Sequence, residues 1–249
     1  MKLYYEGKDI TENVSVNACF HDMYAEGQSD LLIVRFNDIS GLWDKWGSKI
    51  GDTMAVEMEA ARTGKMYVHS IIPENGKLTI RALSVPCSYI QTRSKAWEQV
   101  RLMQLGQEIA ARHGLNFKSF GVEDRIYPYL KQDEKNDFEF LHERCTQEGC
   151  AFLIFDGTLI VYSKAYIESQ EPSQTLILSS DARYEFDASE PGRTGVIWNT
   201  FTPALAAGSV ADLRVEEAPS WNSPIFIQHI RHDYVKRRSK IFFRVMEGW

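Results

Sequence analysis

His142, Glu143, Arg144 and Cys145, with Cys150 shortly after, are the segment whose residue types are best suited to chemistry. His142 and Glu143 begin like a zinc-protease helix, but one turn on stands Cys145 and no second imidazole. His142, Cys145 and Cys150 could still offer three metal ligands, because residues three apart share a helix face and Cys150 lies just past the helix end. Cys145 also fits a buried apolar stripe and no fourth ligand is close in sequence, so a structural role is expected and no metal or cofactor is assigned. His21, His69, His113, His229 and His232 are scattered, and the last two, three apart on a strand end, should point to opposite faces. Glycine-flanked serine elbows, dinucleotide fingerprints and phosphate-binding loops are absent, which withdraws support from acyl transfer and nucleotide chemistry. Carboxylates such as Glu57, Glu59, Asp133, Glu134 and Asp137 are plentiful, but abundance nominates no glycosidase pair. No catalytic residue is expected.

Two further clusters bear on binding. Lys236, Arg237, Arg238 and Lys240, flanked by Arg231 and Arg244, could hold phosphate, but a charged turn or an edge strand protected from pairing explains them better. Trp43 and Trp46 fall in a loop-like stretch, where core packing and a protein contact are equally open.

These residues must be positioned by a chain of 249 residues with 44% hydrophobic and 25% charged residues, the profile of a globular protein. Its net charge of -6 gives no general attraction to nucleic acid, so such binding would need a local patch. No apolar run approaches membrane-spanning length, and the N-terminus lacks the charged head and apolar stretch of a signal peptide. The expectation is a protein made and kept in a cytoplasm unless released by lysis, with Cys19, Cys87, Cys145 and Cys150 reduced and mostly buried.

The spacing predicts strands over 31–36 and 54–59, then a hairpin of 66–72 with 78–83 around Asn75 and Gly76. A helix is predicted over 94–113, with Leu102, Leu105, Gly106 and Ile109 on its buried stripe, Val100, Met103 and Ala110 widening it, and Gly114 as its cap. Asn136 and Glu139 read as the capping box of a second helix that buries Phe138, Leu141 and Cys145. A hairpin of 150–155 with 158–162 follows around Asp156 and Gly157, and short strands resume at 175–178, 183–186, 195–201, 225–231 and 240–245. Residues 203–208 and 216–224 read as long loops. This order suggests two barrels flanking a small domain, or one sheet system interrupted by it.

Several segments taken together carry a resemblance. They are Trp43, Trp46, Gly51 and Asp52; the strand entry at 63–68, from Thr63 and Gly64 to Val68; Ala96, Trp97 and Glu98; residues 109–115; Gln132 and residues 136–141; Glu148 and Gly149; and the hairpin at 156–161. Over about residues 30–165 their order and spacing resemble the baseplate hub family of contractile phage tails, which includes late control gene D proteins and the hub proteins of phage-like elements and related bacteriocins. The fold this implies is α+β and mainly β. Two antiparallel β-barrel-like tube domains, 1–91 and 166–249, flank an inserted helix-plus-hairpin α/β domain at 92–165.

The function implied is structural and non-enzymatic. A homotrimeric, pseudo-sixfold ring would join a hexameric tail tube to a trimeric spike, with other baseplate proteins as partners and the insertion outside the ring. DNA would be met only in transit through the lumen, and no membrane binding by this chain is expected. The place implied is the virion tail baseplate, or a bacteriocin particle, assembled in the bacterial cytoplasm. Trp43 and Trp46 are then interface candidates, and Glu57 and Glu59 could line a lumen that passes DNA without binding it. The chain is short for the family, so spike-binding or peptidoglycan-binding extensions would belong to another polypeptide. The competing readings are a cell-wall or metal-dependent hydrolase, and a stand-alone β-barrel binding module with an apolar pocket.

Overall fold

The computed structural model describes residues 1–189 and 192–246, and all their side chains except those at 42 and 44. The first β segment comprises β1 (Lys2–Tyr5), β2 (Lys8–Asp9), β3 (Ser15–Tyr24), β4 (Leu31–Asn37), a short helix α1 (Leu42–Trp46), β5 (Thr53–Met58), β6 (Ala61–Arg62), β7 (Met66–Glu74) and β8 (Lys77–Leu83). Alternation drives it: Leu32, Val34 and Phe36 of β4 turn inward to meet Val56, Met54 and Ile80, while Leu31, Ile33 and Arg35 face the other way. The hairpin predicted around Asn75 and Gly76 is present, with Glu74 opposite Lys77.

The middle segment comprises β9 (Thr92–Arg101), α2 (Leu102–Arg112), β10 (Asn116–Phe120), β11 (Ile126–Asn136), α3 (Asp137–Gln147), β12 (Cys150–Phe155), β13 (Thr158–Ser163) and α4 (Lys164–Glu168). One expectation is corrected here. Residues 94–101 are strand, paired with β11, and the helix starts only at Leu102. Gln99 has φ +51°, and this kink lets Trp97 and Val100, three residues apart, reach the same core, which imitates helical spacing. Trp97 stacks on Phe140 of α3 with ring centres 5.7 Å apart. The expected helix cap holds, since the Asn136 side chain accepts a hydrogen bond from the Glu139 N–H at 2.8 Å. β12 and β13 turn through Asp156 and Gly157, both at positive φ as a two-residue hairpin turn demands, and β10 adds to β13 in parallel.

The last segment comprises β14 (Thr175–Leu178), β15 (Arg183–Asp187), β16 (Thr194–Thr200), β17 (Val210–Val215), β18 (Ser223–Asp233) and β19 (Arg238–Val245). It does not stand apart from the first. Along one edge of β18, residues 223–226 pair with β17, and residues 229–233 pair with β3, from His229 opposite Tyr24 to Asp233 opposite Phe20. An irregularity between Ile227 and His229 marks the change of partner. The two β segments are therefore one sheet, ordered β15-β16-β19-β18-β3-β4-β8-β7-β5-β1-β2. Among the described residues no ladder closes either half into a ring. Among the described residues, three large apolar cores follow the same division: one under the first segment, one under the last, and one between α2, α3 and β12–β13. A smaller cluster of Ala25, Tyr162, Ile167, Val210 and Phe226 joins the middle segment to the sheet.

Candidate functional site

The arrangement closest to catalytic chemistry is Ser88, His113 and Asp137. The Ser88 hydroxyl lies 2.7 Å from His113 Nδ1, and His113 Nε2 lies 3.0 Å from an Asp137 oxygen. Burial alone would raise the Asp137 carboxyl, but hydrogen bonds from His113 and Gln132 and the charge of Arg112 outweigh it and hold it below the usual carboxylate range. The ionised oxygen only accepts, so Nε2–H of His113 donates to it and Nδ1 accepts from Ser88. Gln132 Nε2 donates to the other oxygen at 2.9 Å, and Arg93 and Arg112 stand 3.3 and 3.5 Å from the first. A carboxylate already neutralised by two guanidinium groups has little left with which to stabilise an imidazolium, so the trio is a poor proton relay. It is well suited to clamping, because its members come from β9, β11, the ends of α2 and α3, and the 3-10 turn that carries Ser88.

A second buried carboxylate lies on the seam between the two β segments. Asp22 of β3 accepts both arms of Arg231 at 2.8 Å each and His229 Nε2 at 2.9 Å. His229 is sandwiched between Tyr24 and Phe242 at 4.4 and 4.6 Å, and Lys240 lies over the rings of Phe242 and Trp198. On the opposite face of the same ladder His21 and His232 are directly opposed and both fully buried. His232 Nδ1 bonds the Ser239 hydroxyl at 2.9 Å, and an Asp30 oxygen is 3.7 Å from His21. His229 and His232 thus do point to opposite faces. The bonds to Asp22 were outside the reach of sequence reasoning, since its partners lie some 200 residues away.

The other sequence candidates separate. His142 packs against Gly27 and edge-on to Phe152, while Cys145 is buried with its thiol pushed up to about 12 by desolvation. Among the described residues no three of His, Cys, Asp and Glu converge as a metal site. The tryptophan pair divides: Trp43 is 3% exposed in the first core, 4.5 Å from Phe36, whereas Trp46 is 43% exposed and rests on Trp43 at 5.0 Å. Glu57 is exposed and accepts from the Tyr4 hydroxyl at 3.2 Å. Glu59 pairs with Arg237, so one residue of the basic cluster ties the β18–β19 turn to the first β segment.

Two of the segments that carried the resemblance meet. Gly64, at φ +63°, lies where an added Cβ would come 2.9 Å from the Asp156 Cβ and 3.0 Å from its Cα. Lys65 N–H donates to the Asp156 carboxylate at 3.1 Å. The glycine therefore provides both the backbone conformation and the space that let the β12–β13 turn seat on the first β segment. Gly64→Ala is expected to cost about 1–3 kcal/mol in urea unfolding and to raise amide exchange around 154–159. A loss below about 0.5 kcal/mol, within the range of an ordinary surface substitution, would contradict this role.

No family model and no curated protein sequence matches the chain. Solved structures do. The 43 kDa tail protein of prophage MuSo2 from Shewanella oneidensis superposes with a TM-score of 0.74 at 12% identity over 98% of both chains. The tail protein from Neisseria meningitidis MC58 gives 0.74 at 10% identity, over 99% of this chain and 96% of that one. An E. coli component of the type VI secretion system, described as structurally similar to the phage T4 tail proteins gp27 and gp5, gives 0.74 at 12% identity over 98% of this chain and 76% of its own. At these identities the likeness is one of fold alone.

Proposed function

We propose that this chain is a structural, non-enzymatic hub subunit of a contractile tail or tail-derived particle. Three copies form a pseudo-sixfold ring between a hexameric tube and a trimeric spike, each contributing two barrel-like β units, 1–91 and 166–249, with the 92–165 unit outside. The observation that carries this reading is fold likeness over nearly the whole length of both this chain and two tail proteins, so that both β segments and the middle segment are matched together.

Continuity of the sheet through β3 and β18 supports it, because a ring wall needs two units held in fixed relation. The saturated Asp137 supports a clamp in preference to a reacting group. In this reading Glu57 is the carboxylate available to a lumen, and Glu59 has its charge offset by Arg237. Partners are the tube protein, the spike and neighbouring baseplate proteins, with DNA only in transit.

The test is single-particle imaging of the purified protein, alone and with its neighbouring tail proteins. The expected result is a threefold ring with a central hole and three times the 28.6 kDa chain mass. A monomer under both conditions would remove the proposal.

A further inference from the structure

An antiparallel sheet with one face in water ordinarily carries polar residues on that face. The outward side of the β3–β18 seam departs from this pattern. Ile197, Ile230, Ile241 and Phe243 point into the core of the last segment, and Cys19 and Leu32 into that of the first. Their strand neighbours Trp198, His229, Lys240, Phe242, Phe20 and Ile33 therefore point outward, and all are partly exposed. Aromatic residues mixed with cations are the composition of a protein interface more than of a solvated face.

The cations lie in two rows that run across the strands. One row is Arg183, Trp198, Lys240, Arg231 and Asp22, from β15 to β3. The next is Arg238, Asp233, Phe20, Ile33 and Arg81, from β19 to β8. Asp22 is taken up by Arg231 and His229, and Asp233 accepts the Lys236 N–H. Among the described residues Arg183, Lys240, Arg238 and Arg81 have no carboxylate partner. Glu185 lies in the adjoining row, opposite Val196, and still leaves the band positive on a chain of net charge -6. β18 and β19 are interior strands, so protection of a sheet edge does not account for these charges. Rings hold the cations in place. Trp198 stands between Arg183 at 4.4 Å and Lys240 at 4.8 Å, which come from the strands on either side, and Lys240 also lies 4.7 Å from Phe242. A cation fixed in this way loses little freedom on meeting an anion.

We infer that this face receives an acidic, partly apolar segment of another protein, laid across the strands so that its carboxylates meet Lys240, Arg183 and Arg238 while its apolar side chains cover Trp198, Phe242 and Phe20. Nucleic acid fits less well. Trp198 and Phe242 are already engaged by the chain's own cations and His229, which leaves fewer ring faces for bases, and Asp233 and Glu185 stand against phosphate. The net charge of the chain also opposes a polyanion at long range. A segment bound here crosses from the last β segment to the first, so it ties together the two units that the β3–β18 ladder joins. The surface belongs to the structural role proposed above, on which it rests for a protein partner, and it needs no ring.

Fluorescence anisotropy with the full-length protein tests it, the probe being a labelled ten-residue peptide of glutamate, phenylalanine and serine. The controls are the same peptide with lysine in place of glutamate and a ten-nucleotide oligothymidylate. The acidic peptide should bind more tightly than either control, and its affinity should fall as salt rises. Arg238→Glu with Lys240→Glu, at positions outside the cores, should weaken binding at least about tenfold, whereas Arg238→Lys with Lys240→Arg should keep it within about twofold. Circular dichroism confirms folding, and Arg183→Glu, at an exposed position of β15, gives the same reading should the charge-reversed pair fail to fold. Amide exchange along β3 and β18 should slow in the bound protein. No binding of the acidic peptide at low salt, undiminished binding by the charge-reversed protein, or unchanged exchange along the seam overturns the surface. Oligothymidylate bound as tightly as the acidic peptide overturns the choice of partner. Peptide binding by a protein that forms no ring keeps this surface and removes the ring, and a ring without peptide binding does the reverse.

Discussion

Asp137→Ala should lower the unfolding free energy by about 3–5 kcal/mol, the range for removing one member of a buried ion pair. The carboxylate is fully buried and shared by Arg93, Arg112, His113 and Gln132, so its loss strands like charges that had been held together by one acceptor. Arg93 is about one-third exposed and recovers some hydration, which places the effect toward the lower end of that range. The damage should be local as well as global. Amide exchange should rise along β9, β11 and the Ser88 turn, which the clamp joins, before it rises in β4 or β19. A measured loss under about 1 kcal/mol, the value of a surface pair, would show that the guanidinium groups find other acceptors.

Acid should weaken the seam by about 3 kcal/mol between pH 6.5 and 4. Burial and the neighbouring His21 pull the His232 imidazole down from 6.5 to about 4. The unfolded chain therefore takes up the proton first as pH falls below 6.5, stability drains through that window, and below about 4 this group adds no further slope. Each unit of difference is worth roughly 1.4 kcal/mol, which gives the figure above. His232→Asn retains a donor or acceptor for Ser239 and cannot titrate, so urea midpoints measured across pH 7 to 4 should be flatter for it than for wild type. Asp22 and Asp137 are held below the usual carboxylate range and lose their contribution only at lower pH, as they protonate, so they do not mimic this window. Equal slopes for the two proteins would mean that His232 is not the responsible group.

What could be read in the sequence was local. Asn75 with Gly76, Asp156 with Gly157, and Asn136 with Glu139 specify turns and a cap through neighbours within a few residues, and all three stand in the structure. β9 was illegible for a physical reason: a backbone kink at Gln99 gave a strand the apolar spacing of a helix, and only pairing with β11 reveals it. Asp22 and Asp137 read as two among many acids, because what sets them apart is the set of cations that the fold brings to them. Trp43 and Trp46, three residues apart, carry no signal in type or spacing that tells which is core. Their roles are decided by Phe36 and Tyr5 on neighbouring strands.

The ladder between β3 and β18 also constrains how the protein can be made. Asp22 and His229 are 207 residues apart, so when β3 leaves the ribosome its partner has not been translated. The nascent chain can complete the middle unit, whose contacts are close in sequence, while β3 waits with one edge bare. Synthesis therefore has a vulnerable interval that ends only as the last strands emerge, and the residues that close it are also those that fix the two β units to each other.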